Sequence, residues 1–217
     1  LQPMKRFWSV QNAANGRNAR VEIFDVIGMW GDDAASFSAD LSSMQGDTVE
    51  VVISSPGGDH ITALAIHNML RASGKTVVTR SIGAAASAAA TVFLAGDRRE
   101  MPSNAWLMTH SPYTNQGGTA SQLRKHAEML DQMHANVVGV IASRSGLSAE
   151  AAAELVQDDD TWIDAARAVE LGLATDVVDA VEVTNEFDVT SLAGAPEAVL
   201  SLFSNEAAPV EAEPVEA

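Results

Sequence analysis

The chain has 217 residues with 13 basic and 29 acidic side chains, a formal net charge of −16, and no cysteine. This length favours a single domain, and the absence of cysteine excludes disulfide frameworks, thiol catalysis and Cys-ligated zinc. The negative charge argues against binding to a nucleic-acid backbone as the main function. No apolar run approaches the roughly 20 residues of a membrane span and no signal-peptide pattern opens the chain, so we expect a soluble, cytoplasmic protein without a membrane partner.

The acidic residues are concentrated at the C-terminal end. Residues 168–217 hold 11 acidic residues and no basic one, whereas the first 167 residues hold the other 18 acidic and all 13 basic residues, a net charge of −5. From residue 205 onward the sequence is a run of Glu, Pro, Ala and Val, which cannot bury enough apolar surface to order itself. We therefore predict an N-terminal segment (1–20), a single domain (21–183) and an acidic, largely disordered tail (184–217).

Strand and helix patterns alternate along the single domain, which predicts the α/β class. In chain order, we predict a strand over 21–27, a short helix from Asp32 through Leu41, a buried strand over 48–53, a glycine-containing turn over 54–58, a helix over 59–74, a strand over 75–82, a helix of small residues over 83–94, a strand over 106–110, a long helix over 119–144, a short helix from Ser148, a helix over 164–171 and a strand over 176–178. At 1.5 Å per residue the long helix would reach about 39 Å, more than a compact domain of this size usually needs.

Ser87 lies among alanines, where a serine most often serves close packing of small side chains. Its context favours a chemical role, because it follows a predicted strand and precedes helical residues. A hydroxyl at that place is near the positive end of a helix dipole, which stabilises a developing oxyanion. The paired glycines Gly57 and Gly58 form either an ordinary turn or, beside a nucleophile, an oxyanion site made of unhindered amides.

His110 is the histidine best placed for catalysis, since it ends a predicted strand, where α/β folds carry functional groups. His60 is close enough to the glycine pair to line a site, whereas His67, His126 and His134 fit packing or polar helix faces. For a carboxylate that orients a histidine, the run at 158–160 offers three candidates, although acids before a helix more often form a solvated cap.

The sequence gives no support to metal or nucleotide chemistry. It contains no HExxH pair, no EF-hand loop, no GxGxxG and no P-loop. We therefore expect no metal and no cofactor.

Taken together, five stretches in the same order resemble the ClpP family of serine peptidases over about residues 20–180. They are SPGG at 55–58, GAAASAA at 83–89, AGDRR and PSNA between 95 and 105, MTHSP at 108–112, and the segment from Asp160 to Leu173. Each motif alone is weak, but their shared order is specific.

The resemblance implies a ClpP/crotonase-like spiral of ββα units with a long handle helix, and a serine endopeptidase with a Ser-His-Asp triad. Ser87 would be the nucleophile, His110 the general base and Asp160 the orienting carboxylate. The backbone amides of Gly58 and Ala88 would be the oxyanion donors. The handle helix, at 119–144, implies a homo-oligomer, a heptameric ring or stacked double ring around a chamber, with polypeptides as substrates and an AAA+ unfoldase as a candidate partner.

Several departures from the housekeeping pattern make the chain more similar to phage and prophage ClpP-related proteins, which resemble head-maturation proteases. Ala88 stands where the family usually has Met, Ser111 stands where it usually has Gln, and residues 4–20 do not look like axial loops. Two other functions stay open at this stage. One is a crotonase-like acyl-thioester enzyme, which needs no triad, and the other is a catalytically latent, ring-forming scaffold.

Overall fold

The structure is a computed structural model that describes residues 6–12, 18–28, 34–182 and 194–203. Within these ranges eight strands form one sheet. The strands are β1 (Trp8–Asn12), β2 (Asn18–Ile23), β3 (Thr48–Ser55), β4 (Thr76–Ala86), β5 (Arg98–Pro102), β6 (Trp106–Thr109), β7 (Thr161–Asp164) and β8 (Asp176–Val178). The helices are α1 (Ala34–Ser43), α2 (His60–Ala72), α3 (Ala88–Phe93), α4 (Ala120–Ser145), α5 (Ala149–Ala153), α6 (Ala165–Glu170) and α7 (Glu197–Phe203).

The sheet is mostly parallel and divides along β4. Its main path runs β1-β2-β3-β4-β5-β8, in which only β1 is antiparallel to its neighbour. The first part of β4 pairs with β5, and its last residues, 84–86, pair in parallel with 106–108 of β6. Strand β7 then pairs antiparallel with β6. The eleven-residue β4 therefore brings two branches of the sheet together at its carboxyl end.

Helix α3 lies on the sheet, and α2 and α1 pack outside it as further helical layers. In α2 the buried residues Ala63, Ile66 and Leu70 follow the three-and-four spacing of an amphipathic helix. Helix α3 is buried along its whole length and contacts β3, β4 and β6, while α2 packs on α3 and α1 packs on α2. The main core thus lies beneath α3, directly next to the turn that carries Ser87.

The predicted helix over 83–94 is wrong in its first part. Residues Gly83 to Ala86 belong to β4, and the helix begins only at Ala88. Alanine favours helices in isolation, but here residues 84–86 form a parallel ladder with β6, and tertiary pairing outweighs that intrinsic preference. The strand predicted over 21–27 also ends early, at Ile23, although Ile27 still forms an isolated bridge with Gly58.

The long helix agrees closely with its prediction. It spans 26 residues, and Thr119 and Gln122 form a reciprocal capping box at its start. Gly146 ends it in the left-handed conformation. Its buried side chains lie in the second half, at Val137, Val138 and Ile141, whereas Leu123 in the first half is 46% exposed.

Both ends of the chain contribute secondary structure to the described part of the protein. The N-terminal segment supplies β1, which pairs with β2 across the predicted boundary at residue 20. Most of the predicted disordered tail, at 184–193 and 204–217, lies outside the described residues, but the part between them contains helix α7. None of the helices in the described part of the chain is long and apolar enough to cross a membrane.

Candidate active site

Ser87 occupies the sharp turn between β4 and α3. Its φ of 54° and ψ of −122° make it the one non-glycine residue of the described ranges with a positive φ, a conformation that costs free energy. The Ser87 amide donates to the Met108 carbonyl at 2.7 Å, which ties the turn to β6. The hydroxyl makes no capping bond to α3 and is therefore available to other partners.

His110 is the partner of that hydroxyl. Its Nε2 lies 2.8 Å from Ser87 Oγ, and the imidazole is half-buried. Strand pairing explains this contact. Ala86 pairs with Met108 in the parallel strands β4 and β6, so Ser87 and His110, which follow these residues, lie at the same end of the sheet. A nucleophilic hydroxyl within hydrogen-bond distance of an imidazole is the arrangement that general-base activation requires.

Asp160 lies near His110, at the end of the neighbouring strand. Thr109 pairs with Thr161 in the antiparallel β6–β7 ladder, so the next positions along the two chains are His110 and Asp160. Asp160 and Asp158 both line the same cavity as His110, but Asp160 is half-buried, whereas the carboxylates at 158 and 159 are exposed. No hydrogen bond or ion pair joins these two described residues. The structure thus brings Ser87 and His110 together and leaves the carboxylate nearby.

The glycine pair lies against the turn that carries Ser87. A Cβ on Gly57, whose φ is 101°, would lie 2.8 Å from Ser87 Cβ and 2.9 Å from the Ala88 nitrogen. Gly58 is held on its other side by Ile27, whose amide donates to the Gly57 carbonyl at 2.7 Å. The amides of Gly58 and Ala88 have no acceptor among the described residues, so both can donate to a bound group.

A cavity of about 980 Å³ joins these groups. Besides Ser87, His110, Gly58 and Asp160, it is lined by the apolar side chains Leu94, Met129, Met133, Val137 and Ile141. Most of these come from α4, for which the sequence predicts a role in assembly. They are four residues apart and so share one face of the helix, but the sequence does not show that this face turns towards Ser87.

Comparison with known proteins identifies the family. A model of the Clp protease family matches residues 34–181. This chain belongs to the Clp protease family. It is 32% identical over 132 residues to ATP-dependent Clp protease proteolytic subunit 2 of Treponema denticola, covering 59% of this chain and 65% of the relative. It is 30% identical over 142 residues to proteolytic subunit 1 of Streptomyces coelicolor, covering 64% of each chain.

A solved structure supports the same assignment. A point mutant of ClpP1 from Listeria monocytogenes superposes with a TM-score of 0.65 at 25% identity, covering 74% of this chain and 91% of that one. The predicted α/β, ClpP-like fold is therefore confirmed. The matches to subunit 2 of Treponema denticola and to subunit 2 of Treponema pallidum span 65% and 66% of those proteins, slightly under two thirds of their lengths.

Two further histidines lie close to the site of this Clp protease family member. His60 lines the cavity, its Nε2 is buried without a partner in the described ranges, and burial lowers its pKa although Asp59 partly opposes the shift. His134 of α4, for which the sequence predicts a polar or packing face, has its Nδ1 3.4 Å from Ser111 Oγ, next to His110. Neither nitrogen reaches Ser87.

His67 has a structural position behind the cavity. It is buried, and its Nδ1–H donates to the Thr91 carbonyl at 2.8 Å, joining α2 to α3. Burial is the main cause that lowers its pKa; the hydrogen bond to Thr91 opposes this shift, and Arg144 and Arg71 add to it. Within the described residues no cluster of His, Asp and Glu is arranged to hold a metal ion.

Proposed function

We propose that this chain is a serine-type endopeptidase in which Ser87 is the nucleophile, His110 the general base and Asp160 the orienting carboxylate. The 2.8 Å contact between His110 Nε2 and Ser87 Oγ carries the proposal. The strained turn at Ser87 supports it, because such strain is concentrated at functional sites.

The reaction proceeds by acyl transfer. Ser87 Oγ attacks the peptide carbonyl while His110 Nε2 takes its proton, and the amides of Gly58 and Ala88 donate to the oxyanion. His110 then gives the proton to the leaving amine, and the C–N bond breaks to leave an acyl-enzyme. Water, deprotonated by His110, then attacks the acyl group; the ester C–O bond breaks, and His110 returns the proton to Ser87 Oγ as the carboxylic product leaves.

Asp160 enters the mechanism by a local movement. Its carboxylate would accept the Nδ1–H of His110, fix the tautomer and stabilise the imidazolium. The half-buried position and the β6–β7 register support this role over that of the exposed carboxylates at 158 and 159. Substitution of Asp160 by asparagine should therefore lower kcat far more than KM.

The active form is a homo-oligomer. The first half of α4 exposes apolar side chains, with Leu123 46% and Met129 39% exposed, and a second copy would cover them. A heptameric ring or stacked double ring would enclose the site in a chamber that admits only unfolded polypeptides. The relatives are named ATP-dependent proteolytic subunits, so an AAA+ unfoldase is a candidate partner.

The biological role we propose is the trimming of proteins during phage head maturation, with general protein turnover as the broader role. Alanine at 88 and serine at 111, where housekeeping members usually have Met and Gln, support the phage assignment. Incubation of the purified chain with phage scaffold and capsid proteins, without any ATPase, tests it. Cleavage at defined sites supports head maturation, and cleavage only of unfolded proteins supports turnover.

Labelling with a fluorophosphonate probe tests the chemistry. We expect one label per chain at Ser87, no label in Ser87→Ala and strongly slowed labelling in His110→Ala, each measured together with the native mass. An assembled wild-type protein that takes no label contradicts the proposal and favours a latent scaffold. A thioester activity that survives Ser87→Ala would instead favour the crotonase-like alternative.

A further inference from the structure

A second, small apolar cluster lies apart from the main core, beneath the proposed triad. It consists of the buried side chains Ala86 and Met108, with Trp162 and Ala195 packed against them. The first three stand in one row across the sheet, since Ala86 pairs with Met108 and Met108 pairs with Trp162. The row therefore crosses β4, β6 and β7.

Every member of this row is close in sequence to a residue of the proposed triad. Ala86 directly precedes Ser87, Met108 lies two residues before His110, and Trp162 lies two residues after the carboxylate at 160. The Met108 carbonyl also accepts the Ser87 amide at 2.7 Å. The relative positions of the three catalytic groups thus depend on how these three strands are held together at this row.

The fourth member of the cluster comes from a different part of the chain. Ala195 lies just before α7, and the Pro196 carbonyl accepts the amides of Val199 and Leu200 at 2.8 and 3.1 Å, which forms the first turn. Val199 is fully buried and α7 contacts β4, whereas the adjacent Leu200 is 39% exposed. One face of residues 194–203 is therefore packed against the domain.

This segment has no counterpart in the family match, which ends at residue 181. We propose that residues 194–203 form a brace that covers the Ala86–Met108–Trp162 row and thereby holds the proposed triad in register. The inference rests on the proposed function of Ser87, His110 and Asp160.

The cluster is small, with only Trp162 and Ala195 packed against the buried Ala86 and Met108, so each contact matters for its stability. Without the brace, the small Ala86 side chain and its two neighbours would face water on that side, and strand pairing at the row would loosen. A displacement of about 1 Å between nucleophile and base can cost about 100-fold in rate. Most of the apolar wall of the cavity comes from α3 and α4, and Met108 is the one member of the row that also lines it, so loss of the brace should affect kcat more than KM.

A matched pair of substitutions in the full-length chain tests the brace. Val199→Asp places a carboxylate at the buried position, and Leu200→Asp makes a comparable change at the exposed neighbour. For Val199→Asp we expect the rate of fluorophosphonate labelling and kcat for a peptide to fall at least tenfold, with KM changed less than twofold. Leu200→Asp should remain within twofold of wild type, and Val199→Ile should retain activity.

A milder substitution and a second measurement keep the test decisive. Val199→Thr, nearly isosteric, should give an intermediate loss even if Val199→Asp does not fold. Amide hydrogen exchange over residues 84–88 and 106–110 should be faster in Val199→Asp and Val199→Thr and unchanged in Val199→Ile and Leu200→Asp. Wild-type labelling and exchange rates in both Val199→Asp and Val199→Thr, or equal losses in Val199→Asp and Leu200→Asp, would overturn the proposal.

The exchange measurement also separates this inference from the proposed function. If wild-type Ser87 takes no label, the endopeptidase proposal fails. Faster exchange at 84–88 and 106–110 in Val199→Asp then still supports a brace on the strands, and unchanged exchange removes the brace as well.

Discussion

Substitution of Gly58 by alanine probes the proposed oxyanion site most directly. An alanine Cβ at this position would lie 2.3 Å from the Ile27 carbonyl oxygen and 2.8 Å from the Ile27 nitrogen. Both are main-chain atoms held by the hydrogen bonds between Ile27 and the glycine loop, so the neighbour cannot turn aside as a side chain could. The φ of 135° adds strain, since residues with a Cβ rarely adopt it.

The size of the effect follows from these distances. Relief of a 2.3 Å contact to ordinary van der Waals distance requires the loop to move by about 1 Å, which takes the Gly58 amide out of hydrogen-bond range of the oxyanion. Loss of one oxyanion donor typically lowers kcat by about 100- to 1,000-fold, or roughly 3–4 kcal/mol of transition-state stabilisation. We therefore expect Gly58→Ala to lose activity to this extent while keeping its fold.

Steady-state hydrolysis of a chromogenic peptide and the rate of fluorophosphonate labelling measure this loss. Gly74→Ala is the matched control, because Gly74 also has a positive φ, of 71°, but no atom lies within 4 Å of its added Cβ. It should lose some stability and keep its kcat. A folded Gly58→Ala enzyme with kcat within threefold of wild type would refute the assignment of this amide.

Three further predictions concern stability and the chain end. The pKa of His67 is held below 6.5 in the folded chain, chiefly by burial, so the unfolded chain binds more protons as the pH falls. The free energy of unfolding should therefore decrease from about pH 7 to pH 5, by at most about 1.4 kcal/mol per pH unit from this group, and denaturant titrations of His67→Asn should show a shallower slope. The buried Arg99 side chain donates to four main-chain carbonyls, so Arg99→Lys should lower the free energy of unfolding by about 3 kcal/mol or more. The control is Arg98→Lys at an exposed neighbour, which should cost less than about 1 kcal/mol. Equal losses in the two variants would contradict this explanation. Deletion of residues 205–217 should leave peptide hydrolysis unchanged, and a loss of activity in that assay would show that the acidic end takes part.

The sequence predicted the elements whose signals are local. The long helix was placed to within one residue at each end, because its capping residues and apolar spacing lie within the element itself. The strand at 176–178 was also placed correctly. The error at Gly83–Ala86 arose because alanine favours helices in isolation, and only pairing with β6 holds residues 84–86 in a strand.

Part of the acidic C-terminal end packs against the domain. The sequence predicts a largely disordered tail over 184–217, yet Val199 within it is fully buried. The apolar pattern of a seven-residue helix is too short to show which surface it covers. That contact became visible only in the folded chain.

By itself, the sequence determined the family resemblance, the α/β class and the identity of the candidate catalytic residues, because the order of motifs along a chain is a one-dimensional property. The tertiary structure alone decided that Ser87 and His110 touch, that Asp160 lies near them without a hydrogen bond to His110, and that α4 forms the apolar wall of the cavity. These facts depend on strand register and helix packing between residues far apart in the chain, and local sequence patterns carry no information about such distances.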